Sequence, residues 1–263
     1  MRIFAVTFIL ALAFALPTHA NAATGDTPPL PSIDWSFEGP FGSFDRDALR
    51  RGFKVYQEVC SACHSLQFLH YRNLSQTGGP EFTEAEVKAI AANYTVQDGP
   101  DEFGDMFDRP ALPRDRFVSP FPNSQAARAA NGGALPPDLS LIVNARPNGA
   151  NYLYALLTSY EETPPPDLEM SDTQHYNLAM PGALIAMAPP LLEDIVEYSD
   201  NTPATVDNMS RDVTTFLAWA ANPHMEQRKR IGFQVMIYLV ILAGLLYFAT
   251  KKLWRGRKWQ QPE

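Results

Sequence analysis

The sequence predicts a mainly α-helical exported domain with long Pro-rich loops, carried on one C-terminal transmembrane helix. Three observations predict it. Residues 231–250 form an uncharged run of twenty, enough for a helix to cross a bilayer core. Four stretches between Pro clusters place apolar residues at helical spacing. Alternation of apolar and polar residues, the mark of strands, is scarce.

From the N-terminus, Arg2 is followed by an apolar run to residue 16 and then by small residues. Ala20-Asn21-Ala22 fits the small-x-small pattern of a signal-peptidase site. The run is short for a membrane span, so cleavage is favoured over an uncleaved anchor. Residues 1–22 therefore read as a signal peptide, with Ala22/Ala23 the best bond and Ala20/Asn21 the second. At the other end, Arg228, Lys229 and Arg230 precede the uncharged run, and Lys251, Lys252, Arg255, Arg257 and Lys258 follow it. The larger basic cluster lies on the C-terminal side, which places that end in the cytoplasm. A buried core helix has no need of an uncharged twenty-mer bracketed by basic residues. The chain thus divides into a signal peptide (1–22), an exported domain (23–227), a transmembrane anchor (228–252) and a cytoplasmic tail (253–263).

The exported part holds 12 Lys and Arg against 28 Asp and Glu, a formal charge of −16. The whole-chain value of −8 hides this, because the membrane flanks are basic. Such a domain does not bind nucleic acid, and it attracts cationic partners. No internal repeat is visible. Prolines cluster at Pro28-Pro29, Pro136-Pro137, Pro164-Pro165-Pro166 and Pro189-Pro190. Each fixes φ and removes a donor, so these mark loops.

The helices lie between them. Residues 45–60 carry Leu49, Phe53 and Tyr56 on one face, with Asp45 and Asp47 in the acidic first turn. Residues 83–94 open with a capping box, Thr83 and Glu86. Residues 149–160 form a third helix. Residues 205–221 form a fourth, with Val213, Phe216, Leu217 and Ala220 on one stripe. Only Asn222-Pro223-His224 and a short charged stretch separate this last helix from the span, which holds the domain close to the membrane.

The two cysteines, Cys60 and Cys63, are followed at once by His64. Cys-x-x-Cys-His is the attachment motif of c-type haem. Two thiols three residues apart on one turn can add to the two vinyl groups of haem, and the next residue can turn its imidazole to the iron. A structural zinc site lacks a second cysteine pair. A thioredoxin-like pair lacks a βαβ context. A disulfide across two residues would be strained and constrain little. A sixth ligand makes the iron an electron carrier, and a Met thioether favours reduced iron and raises the potential. Met106, Met170, Met180, Met187, Met209, Met225, His70, His175 and His224 are available downstream. Met187 stands out, because small residues precede it and Pro189-Pro190 stiffen the loop. Met180, before Pro181, is its competitor. Met209 and Met225 fit core filling better.

Residues 59–65, 126–140 and 183–190 together resemble the cytochrome c1 family, the haem subunits of ubiquinol–cytochrome c reductases (cytochrome bc1 complexes). So do Thr202-Pro203-Ala204-Thr205 and residues 212–221 and 228–232. Every c-type cytochrome shares the haem motif, whereas Leu-Pro-Pro-Asp-Leu-Ser at 135–140, Met-Ala-Pro-Pro at 187–190 and their order are far more specific. The resemblance implies an enlarged class I cytochrome c fold, in which the first helix, with Gly52 and Phe53, crosses the last, with Phe216 and Trp219. It implies Met187, not Met180, as the partner of His64 on the iron. It also implies that Asn131, Pro136 and Pro137 lie against the haem, and that Arg146 stands near a propionate with Tyr152 close by. A guanidinium pairs well with a partly buried carboxylate. Some members carry an extra cysteine pair in the loop before the Met ligand. This chain has none, so residues 161–180 are held by packing and prolines.

The function that follows is one-electron transfer from the Rieske iron–sulfur protein to a soluble, basic cytochrome c through one covalent haem c, with cytochrome b as membrane neighbour. The subunit would not oxidise quinol itself. It would sit in a bacterial inner membrane with the haem domain in the periplasm. An anchored mono-haem cytochrome serving another oxidase or reductase is the nearest alternative. A haem peroxidase is a third, and it would require an open iron site.

Overall fold

The computed structural model describes residues 29–166 and 168–255, so the expected signal peptide and most of the tail lie outside the described residues. Six α-helices among them carry the fold. They are α1 (Arg46–Glu58), α2 (Glu84–Ala92), α3 (Ser124–Ala130), α4 (Gly149–Thr158), α5 (Val206–Ala221) and α6 (Met225–Trp254). Short 3-10 turns occupy Cys60–Ala62 and Tyr71–Ser75. Two small antiparallel hairpins complete the set. One pairs β1 (Thr95–Asp98) with β2 (Phe107–Pro110), and the other pairs β3 (His175–Tyr176) with β4 (Leu184–Ile185). The mainly helical class stands.

The caps read from the sequence are formed. Asp45 accepts from the amides of Asp47 and Ala48 at the start of α1. Thr83 and Glu86 exchange reciprocal bonds at α2, at 2.7 and 3.2 Å. Thr205 accepts from Asn208 at α5. Each satisfies donors that a helix start leaves without partners. The ends fall short of expectation. α1 stops at Glu58, because the chain tightens to a 3-10 turn to bring Cys60 and Cys63 together. α4 stops at Thr158, where the chain leaves to pair with Asn177.

α1 and α5 cross in direct contact. Gly52 permits it: a Cβ there would lie 2.0 Å from the backbone oxygen of Asp212 and 2.8 Å from the Phe216 Cβ. Phe53 and Tyr56 pack on Phe216 at centroid distances of 5.7 and 5.9 Å, and Phe216 meets Trp219 at 5.6 Å. Arg51 of α1 binds the Asp212 carboxylate of α5 in two places, at 2.8 and 3.0 Å, and reaches Asp200 at 2.8 Å. Burial pushes the Asp212 carboxyl above its ordinary range despite the guanidinium beside it. From Met209 to Ala220, α5 is buried on nearly every side. That exceeds the single stripe the sequence suggests, because α1, α4 and the loops wrap it.

α6 is the one helix among the described residues long and apolar enough to cross a membrane, with mean hydropathy 2.2 and none of its window buried. It starts at Met225, before residue 228, and runs to Trp254, past residue 252. Its polar first turn belongs to the domain. The Glu226 carboxylate accepts from Arg46 at 2.7 and 2.8 Å and from the Phe44 amide at 2.8 Å.

Candidate haem site

α1 delivers the chain into the turn that carries the cysteines. The amides of Cys63 and His64 both donate to the Cys60 carbonyl, at 3.1 and 2.9 Å, so Cys60, Cys63 and His64 share one turn. Tyr56 of α1 donates to the His64 carbonyl at 3.1 Å and ties that turn to the core. The two thiols are not bonded to each other. Burial, then the neighbouring Cys63, pushes the Cys60 thiol up to about 12. A redox or nucleophilic cysteine is tuned in the opposite direction.

His64 is oriented by a residue far off in sequence. Its Nδ1 lies 2.8 Å from the Pro137 carbonyl oxygen, an acceptor only, so Nδ1 carries the proton and Nε2 keeps its lone pair. Burial lowers the His64 pKa below the ordinary value, against the opposing pull of the Pro137 carbonyl and Asp138. A neutral imidazole with one nitrogen held by a carbonyl is the form in which histidine binds a metal.

Pro136 and Pro137 are held in place by the next residue. The Asp138 carboxylate accepts from Ser65 Oγ at 2.7 Å, the Gln67 amide at 2.8 Å and the Ser140 amide at 2.8 Å. The Leu139 amide adds a bond to the Ser65 carbonyl at 2.9 Å. Burial pushes the Asp138 carboxyl up, and the bonds from Ser140, Gln67 and Ser65 more than offset it, so it sits below its ordinary range. Residues 135–140 are therefore stitched along residues 64–67. Between them opens a cleft of about 670 Å³, walled by Cys63, Phe117, Phe121, Leu135, Pro136 and Pro137, with Asp138 and Arg116 at its polar side. Cofactor pockets are clefts of roughly 300–1,000 Å³, and this one is of that size; Ser65, Gln67, Ser119, Asn123 and Ser124 also line it, whereas His64 and Met187 do not. Among the described residues, no group of three His, Cys, Asp or Glu side chains converges. The ligand set of a structural zinc ion is therefore not formed by them.

The remaining predicted residues lie in other places. Asn131 caps the end of α3 and donates to the Ala127 carbonyl at 2.7 Å, and Ala127 faces the cleft. Arg146 is exposed before α4 and donates to the Ala145 carbonyl at 3.3 Å. Tyr152 is half-buried on α4, and its hydroxyl donates to the Met180 sulfur at 3.6 Å. Met187 is half-buried just past β4, and its carbonyl accepts from the Tyr160 hydroxyl at 3.0 Å. Among the described residues no hydrogen bond joins Arg146, Tyr152 or Met187 to the cleft.

Sequence reasoning passed over Asp138, Tyr160 and Asn177. Asp138 lies within the Leu-Pro-Pro-Asp-Leu-Ser segment, and a lone acid between Pro and Leu in an apolar segment is a signal for a bonded carboxylate. Asn177 is fully buried, and its side chain donates to the Leu156 carbonyl at 2.8 Å and accepts from the Ala179 amide at 3.0 Å. With the Leu178 amide on the Ser159 carbonyl at 3.0 Å, this hangs the segment before Met187 on the end of α4.

Known proteins are similar to this chain. The family model described as the Cytochrome C1 family matches residues 35–257. A protein of Bradyrhizobium diazoefficiens named "Cytochrome b/c1" is 50% identical over 253 residues, covering 89% of this chain and 37% of its own length. This chain thus spans little more than a third of that relative. "Cytochrome c1" of Rhodospirillum rubrum is 42% identical, with 86% of this chain and 87% of the relative covered. "Cytochrome c1, heme protein, mitochondrial" of Saccharomyces cerevisiae is 47% identical, with 87% and 73% covered. With a family match over most of its length and relatives this similar, the chain belongs to the cytochrome c1 family.

Proposed function

We propose that this chain is the electron-transfer subunit of a cytochrome bc1 complex. It takes electrons from the Rieske iron–sulfur protein and passes them to a soluble, basic cytochrome c through one covalently bound haem c. It is not an enzyme by itself, since quinol oxidation belongs to its partners. The names "heme protein" and "Cytochrome b/c1" among its relatives support the cofactor and cytochrome b as a neighbour. The observation that carries the reading is His64, its Nδ1 held by the Pro137 carbonyl and its pKa lowered by burial, beside two thiols on the same turn.

When bound, the haem supplies a one-electron Fe(III)/Fe(II) couple. The residues of the chain do the rest. Cys60 and Cys63 would tether the ring through thioethers. His64, through Nε2, and Met187, through its thioether, would be the residues that hold the iron, and a thioether ligand would favour the reduced state. Asn131, Pro136 and Pro137 would shield the ring from water. Arg146 would pair with a propionate, with Tyr152 beside it. Residues 1–22 are removed on export, and residues 23–227 stand in the periplasm of a bacterium. Residues 228–252 anchor the domain in the inner membrane, and residues 253–263 face the cytoplasm.

The test is a pair of substitutions. Met187→Leu lowers the midpoint potential sharply and lets carbon monoxide reach the reduced iron, whereas Met180→Leu does neither. The opposite pattern would overturn the ligand assignment. Purification in mild detergent tests the complex. Cytochrome b and the Rieske protein copurify with the chain, and recovery with a terminal oxidase alone would favour the other anchored-cytochrome reading.

A further inference from the structure

The aromatic residues ahead of α1 divide into two kinds. Trp35, Phe37 and Phe44 are buried and pack on one another at centroid distances of 5.5 and 5.1 Å. Phe41, within the same stretch, is 79% exposed. Its ring touches one other ring, Phe233, edge-on at 5.8 Å. Phe233 is the third residue of the uncharged run 231–250 on α6, and it too is exposed.

The turn that presents Phe41 is fixed to the root of α6. Lys229 donates from Nζ to the Phe37 carbonyl at 2.7 Å and to the Gly42 carbonyl at 3.1 Å. The Ser43 amide closes the turn on the Ser36 carbonyl at 3.0 Å. Gly39 takes the left-handed conformation the turn needs, at φ +71°. Glu226 holds Phe44 and Arg46 one helical turn away from Lys229. The phenyl group is therefore held at the level of the first apolar turn of the span. It continues the exposed apolar surface made by Ile231, Phe233 and Val235. Arg228, Lys229 and Arg230 lie just outside that level, where lipid phosphates sit.

We propose that the turn at residues 38–42 is a second membrane contact, in which Phe41 enters the outer-leaflet interface beside Phe233 and is covered by lipid. The inference rests on reading α6 as a membrane anchor. Lipid is the occupant because Phe41 adjoins the apolar face of the span and not a groove of the domain. Apolar residues such as Phe bury at the headgroup–acyl boundary when the surface that carries them lies against a membrane. Two points of attachment, α6 and Phe41, fix the tilt of the domain over the membrane, which a single helix does not.

The experiment uses the full-length holoprotein in phosphatidylcholine vesicles. With Cys60 and Cys63 in thioether linkage, Phe41→Cys supplies one free thiol for a nitroxide label. Phe233→Cys and Glu102→Cys supply a lipid-facing and a water-facing reference. The readout is collision with oxygen relative to collision with a water-soluble nickel chelate. The ratio at position 41 is expected to match that at 233 and to exceed that at 102 several-fold. A ratio at 41 equal to that at 102, with 233 lipid-like, overturns the proposal and leaves the anchor standing. So does a label at 41 shielded from both reagents, which marks a protein cover. A water-like ratio at 233 overturns the anchor reading itself.

Discussion

Replacing Gly52 by Ala puts the crossing of α1 and α5 to a direct test. The added Cβ would stand 2.0 Å from the Asp212 carbonyl oxygen and 2.6 Å from its carbon. Carbon contacts are comfortable at about 3.5 Å, so the helices must part locally by roughly 1.5 Å. The atoms struck are backbone, which no rotamer change can move aside. Parting the helices also loosens the Phe53 and Tyr56 contacts with Phe216. Overpacking of a tight core costs about 1–3 kcal/mol, and a backbone clash belongs at the upper end, about 3 kcal/mol. For a domain of this size each kcal/mol shifts Tm by roughly 2–4 °C, so a fall of about 6–12 °C is expected. Thermal unfolding of the full-length holoprotein in detergent, followed by circular dichroism and haem absorbance, measures it. Lys54→Ala, on the outer side of the same helix where Lys54 pairs with Glu58, should change Tm little. A Gly52→Ala variant as stable as Lys54→Ala would refute the close crossing.

Arg51→Met strands the Asp212 carboxylate in the core and should cost about 3 kcal/mol near neutral pH. The folded Asp212 pKa is already raised and rises further without Arg51, so the penalty applies while the group is charged. The deficit seen in unfolding titrations should therefore shrink as pH falls, and a deficit that widened would contradict the pairing. Asp115 behaves in the opposite sense, because Arg109 holds its carboxyl at about 2. Its contribution is present above the ordinary carboxylate range and is lost as pH falls from 3.8 toward about 2. Asp115→Asn should flatten that part of the acid-unfolding curve, and an unchanged curve would sink the assignment. The −16 of residues 23–227 should steer a basic cytochrome c, so its second-order reduction should slow steeply as salt rises. A stopped-flow rate that stayed flat or climbed with salt would remove the electrostatic argument.

The parts of the fold legible in the sequence are those set by local chemistry. α1, α2 and α5 announce themselves because Asp45, Thr83 with Glu86, and Thr205 cap them just ahead of an apolar stripe. α3 was not legible. Its seven residues stand between the prolines at 120 and 122 and the glycines at 132 and 133, which together read as loop. It forms because Asn123 accepts from the Ala126 amide and Ala127 is buried against the cleft. The β1–β2 hairpin hides for a different reason. It is largely exposed, so no alternation marks it, and its loop is shaped by the Asp101 carboxylate accepting from the amides of Phe103 and Asp105. The site divides in the same way. Cys60, Cys63 and His64 are adjacent and their spacing is readable. The carbonyl that orients His64 lies 73 residues away, and the hydroxyl that holds the Met187 carbonyl lies 27 residues away. Spacing carries no information about either.

The joint between domain and anchor bears on how such a subunit meets its partners. Three residues link α5 to α6, and bonds to the rest of the domain hold this joint and the first turns of α6. The Asn222 side chain donates to Asn144 Oδ1 at 2.9 Å, Arg46 grips Glu226, and Lys229 is bound by the turn before α1. Several of these bonds involve a charged group, the stronger kind, and they grip successive turns of the joint. A domain hung this way does not swing on a flexible tether, so the turn that bears His64 keeps one attitude to α6. In the proposed role, donor and acceptor must both come to a fixed port. Encounter then depends on what draws a soluble partner to that port, and a strongly acidic domain does this at long range without tight binding.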